Sequence, residues 1–217
     1  MKYPDKYAIY DLETTGLDPR EDEAVEIGAM MVVDGKVAAA RTWILKPSVP
    51  IPKEASDIHG ITPEMVGELG ADRHECWEEF VDFVGLNAMH SPWPIVGHNI
   101  VRFDNLFLAR ALAQIGFTLD GADFIDTAAI YKGRKLGIFM DEASETHEAY
   151  ARRVLETKAF GLKYRLADVY QELGGSMAGI VAHRASGDVR MTNHVYRTLA
   201  GLEIEPSVEK AGSFPTV

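Results

Sequence analysis

The sequence predicts an α/β protein: a mixed five-stranded sheet, with three antiparallel strands followed by parallel ones, flanked by helices. An apolar run at residues 7–13 breaks off in the turn Thr-Thr-Gly-Leu-Asp-Pro. A second run, residues 24–33, ends on Asp34-Gly35, the strongest short hairpin signal, and returns over residues 37–45. Beyond these, short strand-like stretches alternate with helical ones, the pattern of a sheet covered by helices.

The remaining elements follow in order. Prolines from Pro47 and the stretch His-Gly-Ile-Thr-Pro mark a loop, after which Thr62-Pro63-Glu64 reads as the cap and first turn of a short helix and residues 75–84 as another. Residues 94–97 form a short buried strand, and residues 103–115 a helix stopped by Gly116. Residues 124–126 are the fifth strand, leading into a helical start at 127–131. Residues 141–157 read as a charged helix, 162–173 as an amphipathic one ended by Gly174-Gly175, and 188–202 as the last, with Val189, Val195, Tyr196 and Leu199 near helical spacing. Residues 1–205 are expected to be one domain and 206–217 a loosely ordered tail.

Composition bounds the function. With 217 residues, 47% of them hydrophobic, the chain buries a sizeable core, roughly 70% of its unfolded surface; disorder and collagen-like repeats are excluded. The single cysteine, Cys76, forms neither an internal disulfide nor a zinc-finger set, which suits a reducing compartment. The N-terminal residues contain no signal-like apolar run and no stretch approaches the ~20 apolar residues of a membrane span, so a cytoplasmic protein without a membrane partner is expected. The net charge of -11 by itself argues against a nucleic-acid partner.

With 33 acidic residues, only placement distinguishes one acid from another. Asp11 and Glu13 are two apart at the end of the first strand, so both side chains point to one face. Paired carboxylates there are costly unless compensated, and hard oxygen ligands of this kind suit Mg²⁺ or Mn²⁺. Asp104 and Asp188 each open a helix, where an acid ordinarily serves as a cap or answers the helix dipole. His183 precedes Asp188 by five residues, and an imidazole with an ordinary pKa of ~6.5 can take a proton near neutral pH.

Three segments carry a resemblance: Asp-Leu-Glu-Thr-Thr-Gly-Leu at 11–17, His-Asn-Ile-Val-Arg-Phe-Asp at 98–104 and His-Arg-Ala-Ser-Gly-Asp at 183–188. In this order they resemble the three motifs of the DEDD 3′-5′ exonucleases, in the histidine subgroup that includes the proofreading subunit of bacterial replicative DNA polymerase. The tyrosine subgroup is disfavoured because position 184 is Arg184. The resemblance spans residues 7–200 and implies a ribonuclease-H-like fold. It also implies a metal-dependent exonuclease acting on the 3′ end of single-stranded or frayed DNA, releasing nucleoside 5′-monophosphates with two divalent ions, Mg²⁺ or Mn²⁺. Asp11, Glu13, Asp104 and Asp188 are then the metal ligands, with Asp11 bridging both ions, and His183 is the general base. Thr14, Thr15, Leu17, His59, Asn99 and Phe103 are the implied substrate contacts. Asp126 is read as a support residue, and Trp43, Phe107 and Tyr131 as core.

The same residues would serve a 3′-5′ exoribonuclease or oligonucleotide-degrading enzyme, since sugar choice turns on contacts to the 2′-hydroxyl that no motif reveals. A noncatalytic nucleic-acid-binding module is disfavoured by the intact set of five. A polymerase or replication partner is not legible in the chain. Residues 132–165 contain eight Lys or Arg against five acids. They read either as a solvated helical face or as a surface tracking nucleic-acid phosphates, with Arg152 and Arg153 as the first residues to test.

Overall fold

β1 (Tyr7–Thr14) pairs antiparallel with β2 (Ala24–Val33), and β2 pairs antiparallel with β3 (Lys36–Ile44). On its other side β1 runs parallel to β4 (Ile95–Gly97), which runs parallel to β5 (Phe124–Asp126), giving a five-stranded mixed sheet in the order β3-β2-β1-β4-β5. These relationships come from a computed structural model that describes residues 3–86 and 93–202. The expected tail at 206–217 lies outside the described residues.

Eight helices complete the described fold: α1 (Lys53–His59), α2 (Pro63–Leu69), α3 (Arg73–Val84), α4 (Asp104–Gln114), α5 (Thr127–Leu136), α6 (His147–Glu156), α7 (Leu166–Glu172) and α8 (Ala185–Ala200). Every residue of β1 is buried because helices cover both faces, which is why its sequence is a nearly continuous apolar run. Its alternation assigns the faces. Tyr7 donates its hydroxyl to Asn193 of α8 at 2.7 Å and meets Tyr196 edge-on at 4.6 Å. Tyr10, on the opposite face, donates to Asn105 of α4 at 2.5 Å and packs against Phe80 of α3. Odd-numbered β1 residues therefore look towards α8 and even-numbered ones towards α3 and α4. Trp43, Phe107 and Tyr131 are all in the core.

α8 lies very close to the sheet. A Cβ added at Gly28 would sit 2.7 Å from the Ala185 backbone, so only glycine permits this approach. Gly28 is paired with Asp11 across the β1–β2 ladder, and Glu26 with Glu13. The carboxyl-terminal ends of the parallel strands β1, β4 and β5 share one edge, the usual position of a site in an α/β sheet. Among the described residues no helix is long and apolar enough to cross a membrane.

Several boundaries differ from the sequence expectation. The loop expected from Pro47 contains a helix, α1, entered from Pro52 and closed by Gly60 in the left-handed conformation. α5 continues through Gly133 to Leu136, and the glycine lets α6 pack close, since a side chain at 133 would collide with the Tyr150 hydroxyl. The charged helix expected over 141–157 begins only at His147, capped by Thr146, whose hydroxyl accepts from the Ala149 N–H; Asp141 instead organises a preceding turn through Ala143 and Ser144. The helix expected over 162–173 starts at Leu166, and residues 162–165 are not helical. α8 starts three residues before Asp188 because Glu26, not Asp188, accepts from the Ala185 N–H at its first turn.

Candidate active site

The two-residue period of β1 and the facing of α8 bring Asp11, Glu13 and Asp188 together. One ligand oxygen from each lies within 4.8 Å of the others, a set that could hold a metal ion. Asp104 stands beside this trio. It begins α4, and its Oδ1 accepts from the Leu12 backbone N–H at 3.1 Å, tying the helix start to β1 between the two strand acids. A cavity of about 860 Å³ is lined by all four carboxylates together with His183, Asn99 and Phe103.

The electrostatics of the four acids are unfavourable by themselves. Burial, reinforced by Asp188, Asp104 and Glu13, raises the Asp11 pKa well above the usual carboxylate value. Burial and the charges of Asp188 and Glu26 push Glu13 up to about 9. Asp104 rises to about 7, mainly through burial, although its own N–H and that of Leu12 oppose the shift. Burial also takes Asp188 to about 7, against the His183 N–H that donates to it at 3.2 Å. Asp11 Oδ2 is buried without a hydrogen-bond partner among the described residues. Clustered hard oxygens, none of them in an ion pair with a described Lys or Arg and one orphaned, fit a divalent cation.

His183 is exposed at the cavity and takes the left-handed conformation, φ 58°, immediately before Arg184. Its place is set from below. Arg184 makes a two-pronged ion pair with the fully buried Glu26 of β2, and the same carboxylate accepts from the Ala185 N–H at 2.9 Å. Glu26 is the important residue that the sequence reading did not single out. Its signal was available: it is the one charged residue of the apolar stretch 24–33. Tyr164 and Asp168, which also line the cavity, were not singled out either.

The expected substrate contacts divide. Asn99, in the left-handed conformation at φ 64°, and Phe103, tilted against Phe107 at 5.0 Å, line the cavity. Leu17 is 82% exposed on the turn after β1. His59 is buried; its Nδ1 accepts from the Ile61 N–H at 3.0 Å, which leaves the ring proton on Nε2, on the side of the Thr14 backbone. Thr14 and Thr15 spend their hydroxyls on the turn itself, Thr14 donating to the Gly16 carbonyl at 2.6 Å and Thr15 to Asp22 at 3.0 Å. Asp126 accepts from four N–H groups, those of Asn99, Val101, Ala128 and Ala129, and so holds the β4 exit and the α5 start together.

A family model described as exonuclease, RNase_T, matches residues 8–196, a span that includes all three acidic segments. The chain belongs to this exonuclease family. The PolC-type DNA polymerase III of Thermotoga petrophila is 31% identical over 190 residues, covering 88% of the chain and 11% of the relative. A DNA polymerase III subunit epsilon-like protein of Rhodobacter capsulatus is 30% identical over 187 residues, covering 72% of the chain and 25% of the relative. The chain thus spans about a tenth of the PolC-type relative and a quarter of the epsilon-like one. Exonuclease I of E. coli in complex with a dA16 oligonucleotide shares the fold of the exonuclease family member at TM-score 0.67 and 17% identity, over 95% of this chain and 42% of that one.

Proposed function

We propose that the chain is a metal-dependent 3′-5′ exonuclease that removes nucleoside 5′-monophosphates from the 3′ end of single-stranded or frayed DNA. The observation that carries this reading is the convergence of Asp11, Glu13 and Asp188 within 4.8 Å at a cavity shared with Asp104 and His183. We assign the four acids as ligands of two divalent ions, Mg²⁺ or Mn²⁺. Asp11, whose pKa is raised by burial and by the charges of Asp188, Asp104 and Glu13, would hold these ions together with those three acids. When bound, such ions would polarise the scissile phosphodiester, generate the nucleophile and stabilise the leaving 3′-oxygen.

The residues of the chain account for the rest. His183 accepts the proton of the attacking water while the new phosphorus–oxygen bond forms and the bond to the 3′-oxygen of the preceding nucleotide breaks. Its exposed position, with its backbone tethered to Asp188, leaves the imidazole free to meet water and pass the proton on. Thr14, Thr15, Leu17, His59, Asn99 and Phe103 are assigned to the terminal nucleotide. Within this set Leu17 offers an apolar wedge, and Thr14, Thr15 and the buried His59 hold the turn in shape.

A setting in DNA replication or repair, with a polymerase as partner, is supported by the polymerase III relatives. The test is a substrate panel with Mg²⁺ and with Mn²⁺: single-stranded DNA, a primer–template with a mismatched 3′ end, and RNA. The reading expects mononucleotide release from the two DNA substrates. Release from RNA alone would replace it with an exoribonuclease, and no release with either metal would refute it.

A further inference from the structure

The eight Lys and Arg side chains of residues 132–165 are not equivalent. Five are engaged within the fold. Lys132 is buried, donates to the Leu155 carbonyl at 2.8 Å and lies over the Tyr164 ring. Arg134 donates to the Leu199 carbonyl, and Lys135 pairs with Glu172 at 2.5 Å. Arg152 pairs with Glu148 of α6 at 2.6 Å and Arg153 with Glu145 of the preceding turn at 2.7 Å, so the two cations the sequence put forward for phosphate contact already have acidic partners. The other three, Lys158, Lys163 and Arg165, are exposed and have no acid within ion-pair distance among the described residues.

These three occupy the connection between α6 and α7, residues 157–165, which carries no acid and has a local charge of +3 in a chain of net -11. Lys163 and Arg165 line the same cavity as the carboxylates. Phe160 stands on the turn of this connection and is 95% exposed, the highest value among the exposed large hydrophobic side chains of the described residues. Three residues span at most about 11 Å, so Phe160 lies within a few nucleotides of the cavity. The connection is also anchored: the Tyr164 carbonyl accepts from His98 Nε2 at 2.8 Å while its ring rests under Lys132.

Unpaired cations beside an exposed aromatic ring, on an anchored segment leading out of the cavity, match a single strand's repeating phosphates and base faces. We infer that residues 158–165 carry the single-stranded DNA upstream of the scissile bond, with Lys158, Lys163 and Arg165 on phosphates and Phe160 stacked on a base. The inference rests on the proposed exonuclease reading and names where its substrate runs.

The test compares KM for a long oligothymidylate, over a range of salt concentrations, in the wild type, Lys158→Glu/Lys163→Glu, Phe160→Ala and Arg152→Glu. The double charge reversal should raise KM roughly tenfold and flatten the dependence of log KM on log salt by about 0.7 for each phosphate that the protein no longer neutralises. Phe160→Ala should raise KM about fivefold or more without changing the salt slope, as expected when one base loses its stacking platform. Arg152→Glu, at an internally paired position, should retain the wild-type KM and slope. Digestion by the wild type with unchanged KM in the double variant and in Phe160→Ala overturns the strand path while leaving the exonuclease reading intact. An equal rise in KM in Arg152→Glu would also overturn it, reducing the effect to overall charge. Absence of digestion by the wild type refutes the exonuclease reading, and this inference with it.

Discussion

Glu26 grips Arg184 at both carboxylate oxygens, Arg184 Nη2 donating to Oε1 at 2.7 Å and Nε to Oε2 at 3.1 Å, with a longer Nε contact to Oε1 at 3.3 Å. Because Glu26 lies opposite Glu13 on the sheet and Arg184 directly follows His183, this pair fixes the histidine relative to the strand acids. Glu26→Gln keeps the shape but leaves the guanidinium without its counter-charge. We predict a loss of about 2–4 kcal/mol in stability, below the range for a wholly buried pair because Arg184 is partly exposed. We also predict a fall of about tenfold or more in kcat with KM little changed, consistent with misplacement of a proton acceptor. Thermal melts and steady-state kinetics check both; unchanged kcat would remove Glu26 from any positioning role.

The four acids destabilise the fold in the absence of a cation. Asp188→Asn removes a carboxyl whose charge burial makes costly, so at pH 8 in chelator the variant should be more stable than the wild type by about 1–2 kcal/mol and melt at higher temperature. Added Mg²⁺ should stabilise the wild type and have much less effect on the variant. Melting curves with and without Mg²⁺ measure this. Equal stabilisation of both proteins by Mg²⁺ would place the ion elsewhere.

His98 supplies a pH dependence of its own. Its Nε2 must carry the proton, because the Tyr164 carbonyl at 2.8 Å can only accept, and the Thr127 hydroxyl faces Nδ1 at 2.8 Å. Burial lowers the His98 pKa to about 4, below the usual ~6.5. The unfolded chain therefore binds a proton that the folded ring refuses. The stability contributed is fully present above about pH 6.5 and is lost as pH falls towards 4, by no more than about 3 kcal/mol. His98→Gln should flatten the difference in melting temperature between pH 7 and pH 5 relative to the wild type. An unchanged difference would mean that the ring is protonated in the fold.

Gly28→Ala tests how closely α8 must approach the sheet. Its methyl group would meet the Ala185 backbone at 2.7 Å, so α8 must shift, at a cost of about 1–3 kcal/mol. The shift carries Asp188 away from Asp11, and activity should fall further than the stability loss alone explains. Comparing activity well below the melting temperature separates the two effects; full activity there would show that the trio tolerates displacement.

Much of this was legible from residue patterns because the relevant signals were local. The apolar run of β1 and the Asp34-Gly35 turn marked the meander, and the two-residue spacing of Asp11 and Glu13 placed both carboxylates on one face. What was not legible depended on tertiary partners. The start of α8 is set by Glu26, 159 residues away from Ala185, so no pattern within 183–188 could mark it. α1 was hidden by the prolines before it, since Pro52 acts as its cap residue instead of continuing the loop. For Arg152 and Arg153 the sequence allows both a solvated helical face and phosphate contact; the four-residue spacing of Glu148 and Arg152 already offers one pair, whereas Glu145 reaches Arg153 only through the turn before α6.

The most direct measurement of the central claim follows a single-stranded oligonucleotide labelled at its 3′ end, incubated with Mg²⁺ and either the wild type or Asp11→Asn, with the products identified by chromatography. The wild type should release labelled nucleoside 5′-monophosphate from the first turnover. Asp11→Asn, folded by its melting curve, should be slower by about three orders of magnitude or more. Release from the 5′ end, or near-normal release by Asp11→Asn, would contradict the account.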